Sequence, residues 1–308
     1  MSTRYSMAFV FSLLFATTVF AQQPAKKKAQ RPFQWVNALP AEVSKALHHE
    51  TFHSSANGVD VGYCILLPPS YNKPGSEQRR YPVIYWLHGG RPGSETKNIS
   101  MSSIYEDAMK DGTLPELIVV FPNGGKLSHY DHEGFLGETA FRELVDHVDS
   151  EYRTVADRSG RAIEGFSQGG RGTARYLFKY PELFCSAAPL GGGQQHEKRI
   201  SENSGKESEA LTIQPATNNT WDLAEAYAKR SSGPEVKIFV AVGEEDDNAQ
   251  GNREWSQHLN DLGIDHTFVV VPGVPHSSKK MYAKIGRDIL NFHAKNFRAN
   301  GSLQQDSN

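Results

Sequence analysis

Ala162-Ile163-Glu164-Gly165-Phe166-Ser167-Gln168-Gly169-Gly170 is the stretch from which the rest of the chain can be read. Its apolar start predicts a short strand over 162–164, and residues 171–179 carry a helical pattern. A G-x-S-x-G between a strand and a helix forces the serine onto a strained turn, with its hydroxyl projecting beyond the sheet edge. Gly165 and Gly169 leave room for neighbouring backbone, and Gly170 adds more. The pentapeptide alone is a weak signal. Its place between two elements makes Ser167 a candidate nucleophile.

Working outward, strand patterns fall at 83–87, 117–121, 186–190, 236–242 and 267–271. Between them lie helical patterns, with Phe141, Leu144, Val145, Val148 and Tyr152 in one and Leu223, Ala226 and Tyr227 in another. Further helices are expected at 252–262 and 279–297. Asn57-Gly58 reads as the turn of an opening hairpin between 51–54 and 59–67. The alternation predicts an α/β fold with a mostly parallel sheet, an antiparallel N-terminal hairpin at its edge and helices on both faces. In such sheets ligands bind beyond the carboxyl ends of the strands, so functional residues should follow strands directly.

Several residue types suited to acyl transfer do so. Residues 81–87 run into His88-Gly89-Gly90-Arg91, where glycines let backbone N–H groups approach a developing oxyanion. Gly90 and Gln168 are the candidate N–H donors. A serine hydroxyl needs a base, and the base needs an acid to fix its tautomer. The strand ending at 242 leads into Gly243-Glu244-Glu245-Asp246-Asp247, and the next leads into Pro272-Gly273-Val274-Pro275-His276. His276 is the candidate base and Asp246 the candidate acid, with Asp247, Glu244 and Glu245 as the alternative carboxylates. The order Ser, acid, His is that of the α/β hydrolases. His88, Arg91, His129, Tyr130 and His132 also follow strands and are candidates to contact substrate. No third spaced histidine accompanies His129 and His132, so no metal site is expected.

At 308 residues, 38% apolar and with a formal charge of −2, the chain can bury a large core and offers no electrostatic reason to expect nucleic acid as a partner. Residues 1–21 read as a signal peptide, with Arg4 before an apolar stretch that ends in Val19-Phe20-Ala21. A secreted or periplasmic protein is therefore expected, with no membrane contact in its mature form. Residues 22–47 read as a flexible arm rich in Gln, Lys, Ala and Pro. A single domain over 48–299 and a polar tail at 300–308 follow. Within the domain, the polar stretch 194–219 reads as an insertion, either a cap over the carboxyl side of the sheet or a solvated loop. Cys64 and Cys185 lie in apolar runs and are expected as buried thiols.

The ordered set of motifs resembles the esterase D-like, carbohydrate-esterase branch of the α/β hydrolases, relatives of feruloyl and acetylxylan esterases. It runs from Leu67-Pro68-Pro69-Ser70-Tyr71 through Leu87-His88-Gly89-Gly90, Phe121-Pro122-Asn123-Gly124-Gly125, the Ser167 pentapeptide, Pro181-Glu182-Leu183-Phe184 and the His276 loop. The resemblance implies an α/β-hydrolase fold and a serine carboxylesterase with no metal or organic cofactor. It also implies an acid three residues past a strand-closing glycine, which falls on Asp246 after Gly243. Feruloyl or acetyl esters of plant polysaccharide are the substrates it implies together with export. A serine peptidase or another acyl hydrolase on the same triad is one alternative, and a non-catalytic binding protein on a hydrolase scaffold is another.

Overall fold

Val83–Leu87 is five consecutive β-branched, aromatic and aliphatic residues, all fully buried. Val83, Tyr85 and Leu87 point to one side of the sheet, and Ile84 and Trp86 to the other. A strand that buries both faces belongs in the middle of a parallel sheet covered by helices on each side. This strand, β3, sits in that place in the computed structural model, which describes residues 32–201 and 215–303. The side chains of 198–201 are outside that description. So are the expected signal segment, the start of the arm, residues 202–214 of the insertion and residues 304–308 of the tail.

The remaining strands of the main sheet are β1 (Leu47–Ser54), β2 (Val59–Leu66), β4 (Ile118–Pro122), β7 (Arg161–Phe166), β8 (Ser186–Leu190), β9 (Lys237–Glu245) and β10 (Thr267–Pro275). Their order is β1-β2-β4-β3-β7-β8-β9-β10. β1 and β2 form the antiparallel hairpin, β2 joins β4 antiparallel, and every later pairing is parallel. A two-stranded ribbon, β5 (Asp131–His132) with β6 (Phe135–Leu136), stands apart.

Helices α2 (Gly137–Glu151), α3 (Gln168–Lys179), α5 (Thr220–Lys229) and α6 (Ala249–Asp261) send Phe141, Leu177, Trp221 and Trp255 into the core on one face. On the other face, α1 (Ser102–Lys110) and α7 (Ser278–Ala299) contribute Tyr105, Met109, Met281, Ile289 and Phe297. The α/β-hydrolase arrangement expected from the sequence is thus the one observed. No helix among the described residues is long and apolar enough to cross a membrane. Cys64 and Cys185 are buried free thiols, and burial pushes them up to about 12 and about 11.

The arm departs from expectation. From Phe33 onward the chain is held to the domain, because Phe33 and Trp35 pack against the ring of Phe135 at 5.5 and 6.4 Å. The buried Glu95 carboxylate accepts from the Asn37 backbone at 2.6 Å and from Asn123 Nδ2 at 3.0 Å. Two aromatic anchors and a buried carboxylate outweigh a polar, proline-containing composition.

Candidate active site

Ser167 directly follows β7 with φ 62° and ψ −116°, a conformation that L-residues hold only when their surroundings impose it. The imposition comes from both sides. Ser167 N–H donates to Leu190 O on β8 at 2.9 Å, and Ser167 O accepts from Arg171 N–H in the first turn of α3 at 3.1 Å. A Cβ on Gly165 would stand 2.7 Å from Leu87 O, and one on Gly169 would stand 2.0 Å from that same oxygen. Both motif glycines are therefore required by the close approach of the β3 backbone.

The two other candidates converge on this serine from the ends of neighbouring strands. His276 directly follows β10, and its Nε2 lies 2.9 Å from Ser167 Oγ. Its Nδ1 lies 2.8 Å from Asp246 Oδ2, just past β9. Asp246 is buried, whereas Glu244, Glu245 and Asp247 are exposed. The other Asp246 oxygen accepts from Asn248 N–H at 2.8 Å, which fixes the carboxylate plane. With Nδ1–H donated to the carboxylate, Nε2 is free to accept the serine proton. The hydrogen bond to Asp246 raises the His276 pKa above the ordinary histidine value, against the opposing effect of partial burial. The Phe166 ring, 4.8 Å away, backs the imidazole.

The loop after β3 brings Gly89 against the serine, with a Cβ on Gly89 falling 3.2 Å from Ser167 Cβ. Gly90 is exposed with φ 67°, and Gln168 begins α3, where the first N–H groups lack an intrahelical acceptor. Gln168 directly follows Ser167, and Gly90 lies one residue past Gly89.

The histidines and tyrosine read as substrate contacts are placed otherwise. His88, His129 and Tyr130 are all buried beneath the loops. His88 Nε2 accepts from Gly124 N–H at 3.0 Å, so its proton is on Nδ1. His129 Nε2–H donates to His88 O at 2.9 Å, and burial holds His129 down to about 3. Tyr130 donates to Glu197 Oε1. The two histidines brace backbone, and Tyr130 holds the Glu197 carboxylate. Their side chains are spent on hydrogen bonds inside the protein. His132 is half-buried in β5 and has no hydrogen bond to Ser167, Asp246 or His276 among the described residues. Arg91 is half-buried in the loop after β3.

Other residues line the site that no motif announced. A hollow of about 150 Å³ beside Ser167 is lined by Gln168, Arg171, Gly193, His196 and Asn248. Larger hollows of about 320 and 550 Å³ lie where chain enters β9 and β10 and where it enters β3 and β4, at the amino ends of the strands, away from Ser167. The start of the 194–219 stretch is a helix, α4 (Gln194–Ser201), and a buried carboxylate pins it. Glu197 pairs with Arg175 of α3 at 3.2 Å and accepts from Thr220 N–H at 3.1 Å. That part of the stretch is a packed wall of the site and no solvated loop. Among the described residues no three His, Cys, Asp or Glu side chains gather to hold a metal ion.

Comparison with known proteins bears on the family and the fold. An esterase of Mycobacterium tuberculosis is 28% identical over 258 residues, covering 74% of this chain and 55% of its own length. An endo-1,4-beta-xylanase/feruloyl esterase of Xylanibacter ruminicola is 28% identical over 162 residues, covering 49% of this chain and 22% of its own. The chain spans about half the length of the mycobacterial relative and less of the other. Among solved structures, a ferulic acid esterase superposes with a TM-score of 0.66 at 22% identity, covering 81% of this chain and 98% of that one. An S-formylglutathione hydrolase of Staphylococcus aureus gives the same TM-score at 19% identity, with coverages of 81% and 98%. These likenesses are of fold. The model of the family described as "Putative esterase" matches residues 54–284, and the chain belongs to that family.

Proposed function

We propose that the protein is a serine carboxylesterase working through an acyl-enzyme. The observation that carries this is the unbroken relay from Ser167 Oγ to His276 Nε2 at 2.9 Å and from His276 Nδ1 to Asp246 Oδ2 at 2.8 Å. Ser167 Oγ attacks the ester carbonyl while His276 takes its proton, and Asp246 supports the imidazolium. The carbonyl electron pair moves onto oxygen, where the Gly90 and Gln168 N–H groups receive it. Collapse expels the alcohol, which takes the proton from His276. Water then repeats the sequence on the acyl-enzyme and releases the acid.

Ester decorations of plant polysaccharide, acetyl or feruloyl, are the proposed substrates, met outside the cytoplasm after removal of residues 1–21. Two relatives whose names include feruloyl or ferulic acid esterase support the polysaccharide setting. The hollow beside Ser167 favours acetyl over feruloyl. Its volume is about 150 Å³, and its described lining is polar, with the His196 imidazole as its one aromatic ring. Purified protein should be assayed on acetylated xylan, methyl ferulate, p-nitrophenyl acetate and a peptide p-nitroanilide, alongside Ser167→Ala. Turnover of the acetyl esters that vanishes in the variant is expected. Cleavage of the anilide alone, or an active variant, would overturn the assignment.

A further inference from the structure

The Gly90 N–H belongs to the Gly89–Gly90 peptide, and the carbonyl of that same peptide is held from behind. Lys97 Nζ donates to Gly89 O at 3.4 Å and to Pro92 O at 2.5 Å. His88 carries its proton on Nδ1, because Nε2 accepts from Gly124 and Ser94 N–H, and that Nδ1–H faces Gly89 O at 3.2 Å. One amide oxygen is thus addressed by an ammonium and an imidazole N–H together.

The Gly89–Gly90 bond is trans, so its N–H points opposite to its C=O. Anchoring Gly89 O therefore aims the Gly90 N–H. Nothing among the described residues accepts from that N–H, although the next carbonyl, Gly90 O, takes the Ser128 hydroxyl at 2.5 Å. Gly89 meanwhile lies so near the nucleophile that a Cβ on it would be 3.8 Å from Ser167 Oγ. The ammonium itself is 3.6 Å from where a Gly90 Cβ would be. A positive charge on an amide oxygen also draws electron density through the peptide and strengthens its N–H as a donor, as in any hydrogen-bonded chain.

We propose that Lys97 is a positioning residue for acyl transfer, whose ammonium orients and polarises the Gly89–Gly90 amide so that the Gly90 N–H can receive the oxyanion. This role rests on the ester hydrolysis proposed above. It differs from a mere loop staple in its consequence, because a staple affects folding whereas a polarised donor affects the charged tetrahedral species.

The test compares Lys97→Met, Lys97→Gln and Lys97→Arg on p-nitrophenyl acetate, with inhibition by an aryl trifluoromethyl ketone. Ser167 Oγ adds to that ketone, its proton passing to His276 and the carbonyl pair to oxygen, so binding reports the oxyanion site. Burial lowers the Lys97 pKa, which makes the permanently charged arginine the conservative replacement. Lys97→Met should lower kcat about tenfold or more, with KM changed less than about twofold, and weaken the ketone by a factor similar to that in kcat. Lys97→Gln should lose less and Lys97→Arg least. Should the methionine variant not fold, the order Arg above Gln in both readouts decides. Wild-type kcat and ketone affinity in Lys97→Met or Lys97→Gln would overturn the proposal, as would a loss confined to KM and Tm. A wild-type protein that neither turns over the ester nor binds the ketone would instead remove the ester-hydrolase assignment, and the Lys97 role with it.

Discussion

Tyr282 in the second turn of α7 donates to the buried carboxylate of Glu164 on β7, tying the helix that follows His276 to the strand that leads into Ser167. The same carboxylate accepts from the Tyr105 hydroxyl of α1 and from His293 Nε2 at 3.1 Å. Trp86 Nε1 donates to Tyr282 at 3.2 Å, and Ser186 Oγ meets His293 Nδ1 at 2.8 Å. Burial pushes both phenols well above their usual range, so they act as donors to Glu164. The network lies on one face of the sheet and joins β7, which leads into Ser167, to α7, which follows His276.

Removing its acceptor should be costly. Glu164→Ala takes the shared acceptor from two buried hydroxyls and an imidazole nitrogen, and since the hydroxyls, 3.2 Å apart, can satisfy only one donor between them, a loss of about 3 kcal/mol or more is expected in urea denaturation. Tyr282→Phe, which deletes one donor and leaves Trp86 short of an acceptor, should cost about 1–2 kcal/mol. A change below about 0.5 kcal/mol in Glu164→Ala would contradict this account.

The pH dependence follows from His276. Only neutral imidazole can take the serine proton, and Asp246 raises the folded pKa, so kcat/KM should fall as pH drops through a midpoint above about 6.5. Asp246→Asn removes the main cause of the rise. It should shift the midpoint downward and lower kcat by about ten-thousand-fold. Asp247→Asn, at an exposed position, should keep kcat close to wild type. Equal losses in the two variants, or a flat profile from about pH 5 to 8, would refute the assignment.

The turn at Ser167 offers a packing test. In Gly169→Ala the new methyl would meet Leu87 O at 2.0 Å and His88 O at 2.8 Å, both backbone atoms with little freedom to move. A destabilisation of about 3 kcal/mol or more is expected. Gly263→Ala, where φ is 70° but nothing lies within 4 Å of the Cβ, should cost only the left-handed backbone penalty of about 1–2 kcal/mol. Reversal of that order in thermal or urea melts would count against the elbow as described.

What was legible in the sequence was whatever is local. The glycine spacing around Ser167, the apolar runs and the turn chemistry at Asn57-Gly58 are local signals, and they located the sheet and its carboxyl edge. Strands β9 and β10 run three and four residues beyond their apolar runs, because Pro275 pairs with Glu245 past a bulge at Gly273 that only the pairing reveals. Helix α1 drew no expectation. What became of His88, His129 and Tyr130 was hidden because residues on irregular loops have no periodicity from which a side-chain direction can be read, and Ser128 and His129 both adopt positive φ. Glu197 and Arg175 meet across 22 residues, and Lys97 reaches the Gly89 carbonyl around a turn. Such pairings depend on tertiary geometry, which composition does not encode.

The most direct test of the central claim is covalent capture of the nucleophile. The protein should be incubated with an alkyl fluorophosphonate, which loses fluoride as serine Oγ bonds to phosphorus, and the site and rate of labelling read by mass spectrometry. A single adduct on Ser167 is expected, absent in Ser167→Ala and formed about a hundredfold or more slowly in His276→Ala. Labelling at another residue, or an unchanged rate without His276, would contradict the account.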